Sequence, residues 1–169
     1  MIRRLFLFVF SLFFTLPVSP IIAQEIPNID RILVQKSARK MLLQNGDQIV
    51  REYKIRLGRN PVGAKKREGD NRTPEGNYTI VSHNPNSAYH LSLRLSYPTV
   101  EQRAEAEKNG YSAGGDIMIH GYPHKSPAFL FRLIHAWRDW TAGCIAVSNK
   151  EIEEIYDMVK DGTPIRIEP

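Results

Sequence analysis

Alternating apolar and polar side chains predict a sheet in the first two thirds of the chain. Residues 40–44 and 48–57 flank Asn45-Gly46-Asp47, and an Asn-Gly pair between two strand-like runs indicates a hairpin because both central turn residues need positive φ. The clearest alternation lies within residues 90–97, where every second side chain is apolar and is expected to face the core. Further strands are predicted over residues 29–35 and 77–83.

Apolar residues at three- and four-residue steps predict two amphipathic helices further along the chain. Ser126 and Pro127 begin the first as its cap and first helical residue, and Ser148 with Glu151 forms a capping box before the second. We expect both apolar stripes to be buried, with the first packed on the sheet, so that His135 faces away from that stripe. The stripes are Phe129, Leu130, Leu133, Ile134 and Trp137 in the first helix and Ile152, Ile155, Met158 and Val159 in the second.

A third helix is predicted between Thr99 and Asn109, because Thr99 and Gln102 have the spacing of a capping box. Its apolar stripe is thin, which favours a position on the surface. Two short apolar runs, residues 116–120 and 143–147, and a final strand over residues 163–167 complete the pattern. This order of elements predicts one strand-dominated α+β domain.

The first 23 residues have the layout of a signal peptide. A basic head containing Arg3 and Arg4 precedes an apolar run over residues 5–16 and a cleavage point after Ala23. The run is shorter than the roughly 20 residues of a membrane span, and an uncleaved N-terminal anchor is the alternative. In both cases we expect the chain to be exported, with residues 24–169 forming a single domain.

The charge balance argues against nucleic acid as a partner. The formal net charge of +5 includes Arg3 and Arg4, so residues 24–169 carry a net +3, from 21 basic and 18 acidic residues. No dense run of Lys or Arg is present. On charge alone, the basic segment over residues 58–76 is a solvated surface loop.

Cys144 is the only cysteine in the sequence. In an oxidising compartment, a cysteine without an intramolecular partner is buried and inert, joined to another chain, or retained for its chemistry. A thiol is a good nucleophile only as the thiolate, so a catalytic cysteine needs a nearby base.

Position decides which of the five histidines is the candidate base. His120 ends an apolar run and is followed at once by Gly121, which places its imidazole at the rim of the predicted sheet. His135 is closer to Cys144 in sequence, but it faces away from the apolar stripe of its helix. Gly143, directly before Cys144, allows a sharp bend that presents backbone N–H groups to a developing oxyanion.

Three segments resemble the active-site signature of the YkuD-type L,D-transpeptidase catalytic domain family. They are Ile119-His120-Gly121, the later Trp140-Thr141-Ala142-Gly143-Cys144-Ile145, and Thr73-Pro74-Glu75-Gly76-Asn77-Tyr78, which is similar to the Thr-Pro-x-Gly-x-Tyr segment of the family. The resemblance covers most of residues 29–167. It implies a β-sandwich with helical insertions, located in the periplasm or cell envelope and acting on peptidoglycan stem peptides.

The resemblance also implies roles for individual residues. Cys144 is the nucleophile, His120 the general base and acid, and Gly143 the backbone part of the oxyanion site. Members of the family form a thioester with the carbonyl of the third stem residue, usually diaminopimelate, and release the terminal D-alanine. No metal or organic cofactor is implied. The expected substrate-binding residues are Gly121, Thr141, Ala142, Arg138, Thr73, Pro74 and Gly76.

The sequence departs from the family pattern on both sides of Gly143-Cys144. Ala146 stands where the family usually has arginine, and Ala142 replaces a common His or Lys. An arginine there would fix a substrate carboxylate or brace the loop. This pattern resembles a branch that includes a murein hydrolase, which detaches a lipoprotein from diaminopimelate, so a wall-linked lipoprotein is a further candidate partner. The candidates for the missing cation are Arg138, Arg94, Lys65, Lys66 and Arg67.

Three functions are therefore weighed. The first is an acyltransferase that passes the stem peptide to an amine, and the second uses the same thioester but transfers it to water, as a carboxypeptidase or amidase. The third, of a different class, is a non-catalytic wall-binding module in which Cys144 is a core residue.

Overall fold

The computed structural model describes residues 27–125 and 127–169. The predicted signal peptide and the predicted helix cap at Ser126 lie outside these residues. Within the two ranges, no helix has both the length and the apolar content that a membrane crossing requires. The strands are β1 (Arg31–Gln35), β2 (Lys40–Asn45), β3 (Gln48–Lys54), β4 (Gly76–Ser87), β5 (His90–Leu95), β6 (Met118–His120), β7 (Ile145–Ala146) and β8 (Pro164–Glu168), and the helices are α1 (Val100–Lys108), α2 (Ala128–Trp137) and α3 (Asn149–Met158).

The strands form one mixed sheet in the order β3-β2-β1-β8-β4-β5-β6-β7. β4 joins its two halves, because residues 76–79 pair with β8 whereas residues 80–87 pair with β5. Apolar side chains from both halves and from α3 form a single buried cluster. The predicted strand-dominated α+β class is confirmed.

The predicted hairpin is also confirmed. β2 and β3 are antiparallel with Asn45 opposite Gln48, and Gly46 takes the positive φ of 56° that the Asn-Gly turn requires. β1 then pairs antiparallel with β2 and parallel with β8. This half of the sheet supports the site without lining it.

β4 is longer than predicted. The strand predicted over residues 77–83 continues through Asn84-Pro85-Asn86 with a register shift between Asn84 and Ser87, and the Asn86 N–H donates to Asn84 Oδ1. An irregular strand tolerates proline where a regular ladder would not. The reversal comes instead at Ala88 and Tyr89, and this segment reaches the candidate site.

Helices α1 and α3 follow the sequence predictions. Both have complete capping boxes, Thr99 with Gln102 and Ser148 with Glu151. α1 lies on the surface and buries only Ala106 among its residues. α3 buries its apolar stripe against the sheet through Ile152, Ile155 and Met158.

For α2 the helix was predicted correctly but its orientation was wrong. The stripe expected to pack on the sheet is largely exposed: Phe129 by 68%, Leu130 by 43%, Leu133 by 58% and Trp137 by 84%. His135, expected to face away from the packed side, is buried.

The contacts of α2 explain its orientation. The guanidinium of Arg56 is buried and donates to the backbone carbonyls of His135 and Ala136 at the C-terminal end of the helix. The rings of Phe131 and His135 lie 6.3 and 5.4 Å from that of Tyr122, centroid to centroid. These contacts fix the side of α2 that carries His135 as the inner side.

Candidate active site

Cys144 and His120 line the same cavity, which has a volume of about 490 Å³. Their proximity follows from the parallel pairing of β6 with β7, in which Ile119 lies opposite Ile145 and His120 opposite Ala146. Cys144 directly precedes β7, so the thiol and the imidazole come from adjacent strands. The other lining residues are Arg59, Asn84, Ser87, Ala88, Tyr89, Asp116, Met118, Trp140, Thr141 and Ala142.

The hydrogen bonding of His120 defines its tautomer. Nδ1 lies 2.7 Å from the carbonyl oxygen of Gly121, and a carbonyl only accepts, so the proton resides on Nδ1. Nε2 therefore carries the free lone pair. Burial lowers the pKa of His120 to about 4, and the hydrogen bond to Gly121 only partly opposes this shift. At neutral pH the imidazole is an uncharged base.

Aromatic rings enclose the His120 imidazole. Its centroid lies 4.5 Å from the ring of Tyr89 and 5.6 Å from that of Trp140. Phe131 of α2 packs edge-to-face on Trp140 at 5.2 Å. These rings restrict the rotation of the imidazole and keep water from it, which accounts for the low pKa of His120.

Cys144 is partly buried, and its Sγ–H donates to the carbonyl of Asp116 at 3.5 Å. Burial raises the pKa of the thiol, and the backbone N–H of Met118 opposes this rise. The resting site therefore holds a neutral thiol beside a neutral imidazole. Attack by such a pair requires that the base take the proton as the sulfur–carbon bond forms.

Gly143 fits its position in two ways. Its φ of +140° is unfavourable for any residue with a side chain, and a Cβ there would lie 2.7 Å from the carbonyl oxygen of Arg72 and 3.1 Å from Ile117 Cδ1. The basic loop thus packs its backbone directly against the residue before the cysteine. Any other residue would displace either the loop or the nucleophile.

Thr141 fastens the turn that carries the nucleophile. Its hydroxyl accepts from the Gly143 N–H at 3.0 Å and donates to the Cys144 carbonyl at 2.8 Å. The Gly143 N–H is therefore engaged in this state. The next N–H along the chain, that of Cys144, has no hydrogen-bond acceptor within the part of the chain that the structure describes.

Two of the seven predicted substrate-binding residues line the cavity, and the other five do not. Thr141 and Ala142 line the cavity. Gly121 lies behind His120, where a Cβ would come 2.7 Å from Asn149 Oδ1. Thr73 is fully buried, and its hydroxyl accepts from the Gly58 N–H at 3.0 Å. Thr73 does not line the cavity, and neither do the other three expected residues, Pro74, Gly76 and Arg138.

The basic loop is less solvated than its composition indicates. Lys65 is buried and its Nζ lies 2.8 Å from Asp70 Oδ1. Burial alone would raise the pKa of Asp70, but the Lys65 ammonium and the backbone N–H groups of the loop outweigh it and lower the pKa to about 2. This ion pair fixes the loop that supports Gly143.

Three of the five candidates for the missing cation are accounted for. Arg94 pairs with Asp116 at 3.0 Å, Lys65 pairs with Asp70, and Arg138 is exposed outside the cavity. Ala146 itself is buried, and its backbone pairs with that of Arg56. The cation that lines the cavity is Arg59, whose Nη2 donates to Asn71 Oδ1 at 3.1 Å.

Sequence reasoning missed Arg59, Tyr89 and Asp116 as residues of the site. Each comes from a segment that reads locally as a strand end or a loop, and only the pairing of distant strands brings it to the cavity. Trp140 also lines the cavity. Its position four residues before Cys144 was a sequence signal that could have identified it. Within the described residues, no group of three or more His, Cys, Asp or Glu side chains is placed to hold a metal ion.

Comparisons with known proteins agree on one family. A family model described as the L,D-transpeptidase catalytic domain (YkuD) matches residues 29–167. The Escherichia coli (strain K12) protein named "Putative L,D-transpeptidase YafK" is 27% identical over 153 residues, which cover 86% of this chain and 53% of that protein.

Solved structures share the fold. The helical cell shape determining protein Pgp2 from Campylobacter jejuni matches with a TM-score of 0.62 and 27% identity over 83% of this chain and 48% of that chain. An L,D-transpeptidase from Mycobacterium smegmatis matches with a TM-score of 0.54 at 15% identity, over 82% and 58% of the two chains. The present chain thus spans about half the length of Pgp2 and of YafK.

Proposed function

This chain belongs to the YkuD family of L,D-transpeptidase catalytic domains, and from this premise we propose that it catalyses cysteine-dependent acyl transfer on peptidoglycan stem peptides. The observation that carries the proposal is the shared cavity of Cys144 and His120, in which His120 has its proton on Nδ1 and its lone pair on Nε2. A neutral base beside a thiol is the arrangement that thioester formation needs.

In the first step, Cys144 Sγ attacks the carbonyl carbon of the scissile stem-peptide bond while its proton passes to His120 Nε2. The carbonyl becomes an oxyanion, for which the Cys144 N–H is the free backbone donor. The Gly143 N–H, held by Thr141, is the second donor if it exchanges its acceptor. The carbon–nitrogen bond then breaks, the leaving D-amino acid takes the proton from His120, and a thioester remains on Cys144.

In the second step, an acceptor attacks the thioester and the proton transfers run in the reverse order. An amine of a second stem peptide, or water, gives a proton to His120 as it attacks the thioester carbon. The carbon–sulfur bond breaks and the sulfur recovers the proton as a thiol. The chemistry is the same for both acceptors, so access to the cavity determines whether the product is a cross-link or a trimmed peptide.

We assign recognition of a substrate carboxylate to Arg59, the cation that lines the cavity. Arg59→Gln keeps a polar side chain and removes the charge. Because a hydrogen bond to a charged group is worth about 1.5–3 kcal/mol, we expect KM for stem peptide to rise roughly ten- to hundredfold with kcat little changed. Steady-state kinetics check this, with Lys66→Gln, on the same loop but outside the cavity, as the matched control.

The decisive experiment is incubation of purified protein with muropeptides, followed by mass spectrometry. Wild type is expected to give dimers or exchanged D-amino acids, whereas Cys144→Ala and His120→Ala give neither. His124→Ala, which changes an exposed histidine outside the cavity, is expected to retain activity. Activity in Cys144→Ala would refute the mechanism.

The same assay separates the alternatives. Trimmed monomers without dimers or exchange would assign water as the acceptor and make the protein a carboxypeptidase. Release of a wall-linked lipoprotein from diaminopimelate would make it an amidase. If no product forms and a thiol-reactive probe labels Cys144 no faster than a free thiol, the protein is a wall-binding module.

We also propose that the protein is exported to the periplasm or cell envelope, where its substrate resides. The proposal rests on the signal-peptide layout of residues 1–23. Fractionation of cells and N-terminal sequencing of the recovered protein test it. A new N-terminus at Gln24 is expected, and full-length protein in the cytoplasm would contradict export.

A further inference from the structure

The outer face of α2, formed by Phe129, Leu130, Leu133 and Trp137, has no partner within the described residues. All four side chains are exposed. Phe129, Leu133 and Trp137 are spaced four residues apart and form one continuous stripe. A contiguous stripe of exposed large apolar side chains is a sign of an interaction surface.

The helix cannot bury this stripe by rolling inward. Arg56 holds the carbonyls of His135 and Ala136 from the protein side. The buried His135 accepts from Trp140 Nε1 at 3.5 Å, and Phe131 packs on the same Trp140 ring. A rotation that hid the stripe would remove these contacts and leave Nε and Nη2 of a buried guanidinium without their acceptors. The outward orientation is therefore set by the fold.

The charges on α2 and on the segments that flank it in sequence have a single sign. From Ile117 to Arg138 the sequence contains no Asp or Glu. Lys125, Arg132 and Arg138, before, within and directly after the helix, are exposed. The next acid along the chain, Asp139, is bound by Arg39 at 2.7 Å. The residues of α2 and of its flanking segments thus contribute cations alone to the rim of the stripe.

An exposed Trp-, Phe- and Leu-rich stripe beside cations is the pattern of a helix that lies in a membrane interface. A protein partner would require matching acids around its own apolar patch, whereas anionic lipid supplies negative charge at every point. We propose that the outer face of α2 docks on an anionic lipid surface, with the helix parallel to the bilayer. This inference does not depend on the proposed reaction.

The test uses the full chain and a reporter within α2, because the apolar residues 5–16 can bind lipid by themselves. In a Trp140→Phe background, Trp137 is the sole tryptophan. On phosphatidylglycerol-containing vesicles, its emission should shift to the blue, and lipids brominated on the acyl chains should quench it. A Trp137→Phe variant, which leaves the partly buried Trp140, is the matched reporter and should be quenched much less.

Two variants challenge the docking directly. The double variant Phe129→Glu with Leu133→Glu changes two exposed positions and should keep the wild-type circular dichroism spectrum. It should abolish quenching of Trp137. Arg132→Gln should weaken partitioning about fivefold, since one interfacial cation contributes on the order of that factor. Replacing the vesicles with pure phosphatidylcholine, or adding 1 M salt, should weaken partitioning further.

Three results would overturn the proposal. One is a Trp137 that stays accessible to aqueous iodide while the chain is vesicle-bound, which would mean that residues 5–16 tether it without α2. Another is unchanged quenching in the Glu variant. The third is protection of Trp137 that depends on protein concentration and needs no lipid, which would assign the face to a second copy of this chain.

Discussion

α2 and α3 have the same length and similar apolar periodicity, but the apolar stripe of α3 is buried and that of α2 is exposed. Each helix has ten residues and follows a short strand of the site, β6 or β7. α3 buries Ile152, Ile155 and Met158, whereas α2 exposes Phe129, Leu133 and Trp137. Periodicity therefore predicts that a helix forms and which residues share a face, but not which face is inside.

The contacts that decide between the two orientations are polar. α3 approaches the sheet with its N-terminal end, where Asn149 Oδ1 accepts from the Tyr122 N–H at 2.7 Å. α2 is held at its C-terminal end by the buried Arg56. The first contact supports the segment after His120, and the second supports the segment leading to Trp140. Each helix thus holds one side of the cavity through hydrogen bonds at one of its ends.

The largest expected difference concerns the two stripes themselves. Ile155→Ala removes fully buried methyl and methylene groups and should lower the free energy of unfolding by about 2–5 kcal/mol. Leu133→Ala, its matched control on α2, should change it by less than about 0.5 kcal/mol. Urea unfolding of both variants measures the pair. Equal losses would mean that the outer face of α2 is buried in solution.

The second prediction concerns the two buried histidines, His120 at the end of β6 and His135 within α2. The folded pKa of His120 is about 4 and its ordinary value is 6.5, so the unfolded chain binds the proton first as pH falls. Stability should therefore drop by about 3 kcal/mol between pH 6.5 and pH 4. His135, whose pKa burial also lowers, acts in the same direction.

Unfolding midpoints measured across this range test the histidine effect. Asp70, whose pKa falls from 3.8 to about 2 in the folded protein, acts in the same direction but mainly below this pH range. His120→Asn should remove most of the slope. A slope that survives in this variant would show that His120 is not the group responsible.

Much of the architecture was predictable from local signals. The Asn-Gly hairpin, the two capping boxes and the α3 stripe all depend on residues close in sequence. His120 and Cys144 were selected as candidates from local features, a histidine at the end of an apolar run and a lone cysteine after glycine. Their convergence required only that two short strands pair.

The rest depends on contacts between distant segments. Arg59 reaches the cavity because the segment after β3 pairs with Thr141, and Tyr89 does so because β4 continues past Pro85. The orientation of α2 depends on Arg56, which lies 79 residues before His135. No periodicity or motif in the sequence predicts these contacts.

The third prediction concerns the cation that holds α2. Arg56→Met leaves the carbonyls of His135 and Ala136 without their charged donor, and a loss of about 2 kcal/mol is expected. Arg51→Met removes an exposed ion pair to Glu154 of α3 and should cost much less, since such pairs contribute little. Near-ultraviolet circular dichroism should change only in Arg56→Met, because that variant frees the aromatic packing of Trp140.

The smallest expected effect lies at the helix starts. Ser148→Ala removes the hydroxyl that accepts from the Glu151 N–H at 3.3 Å and should cost about 1 kcal/mol. α2 begins at Pro127 without a side-chain cap, so Pro127→Ala should cost less. If Ser148→Ala also lowers turnover of stem peptide, the cap acts through Asn149 and Tyr122 on His120. If only stability changes, α3 supports the site through its buried stripe alone, and the difference between the two helices is one of packing.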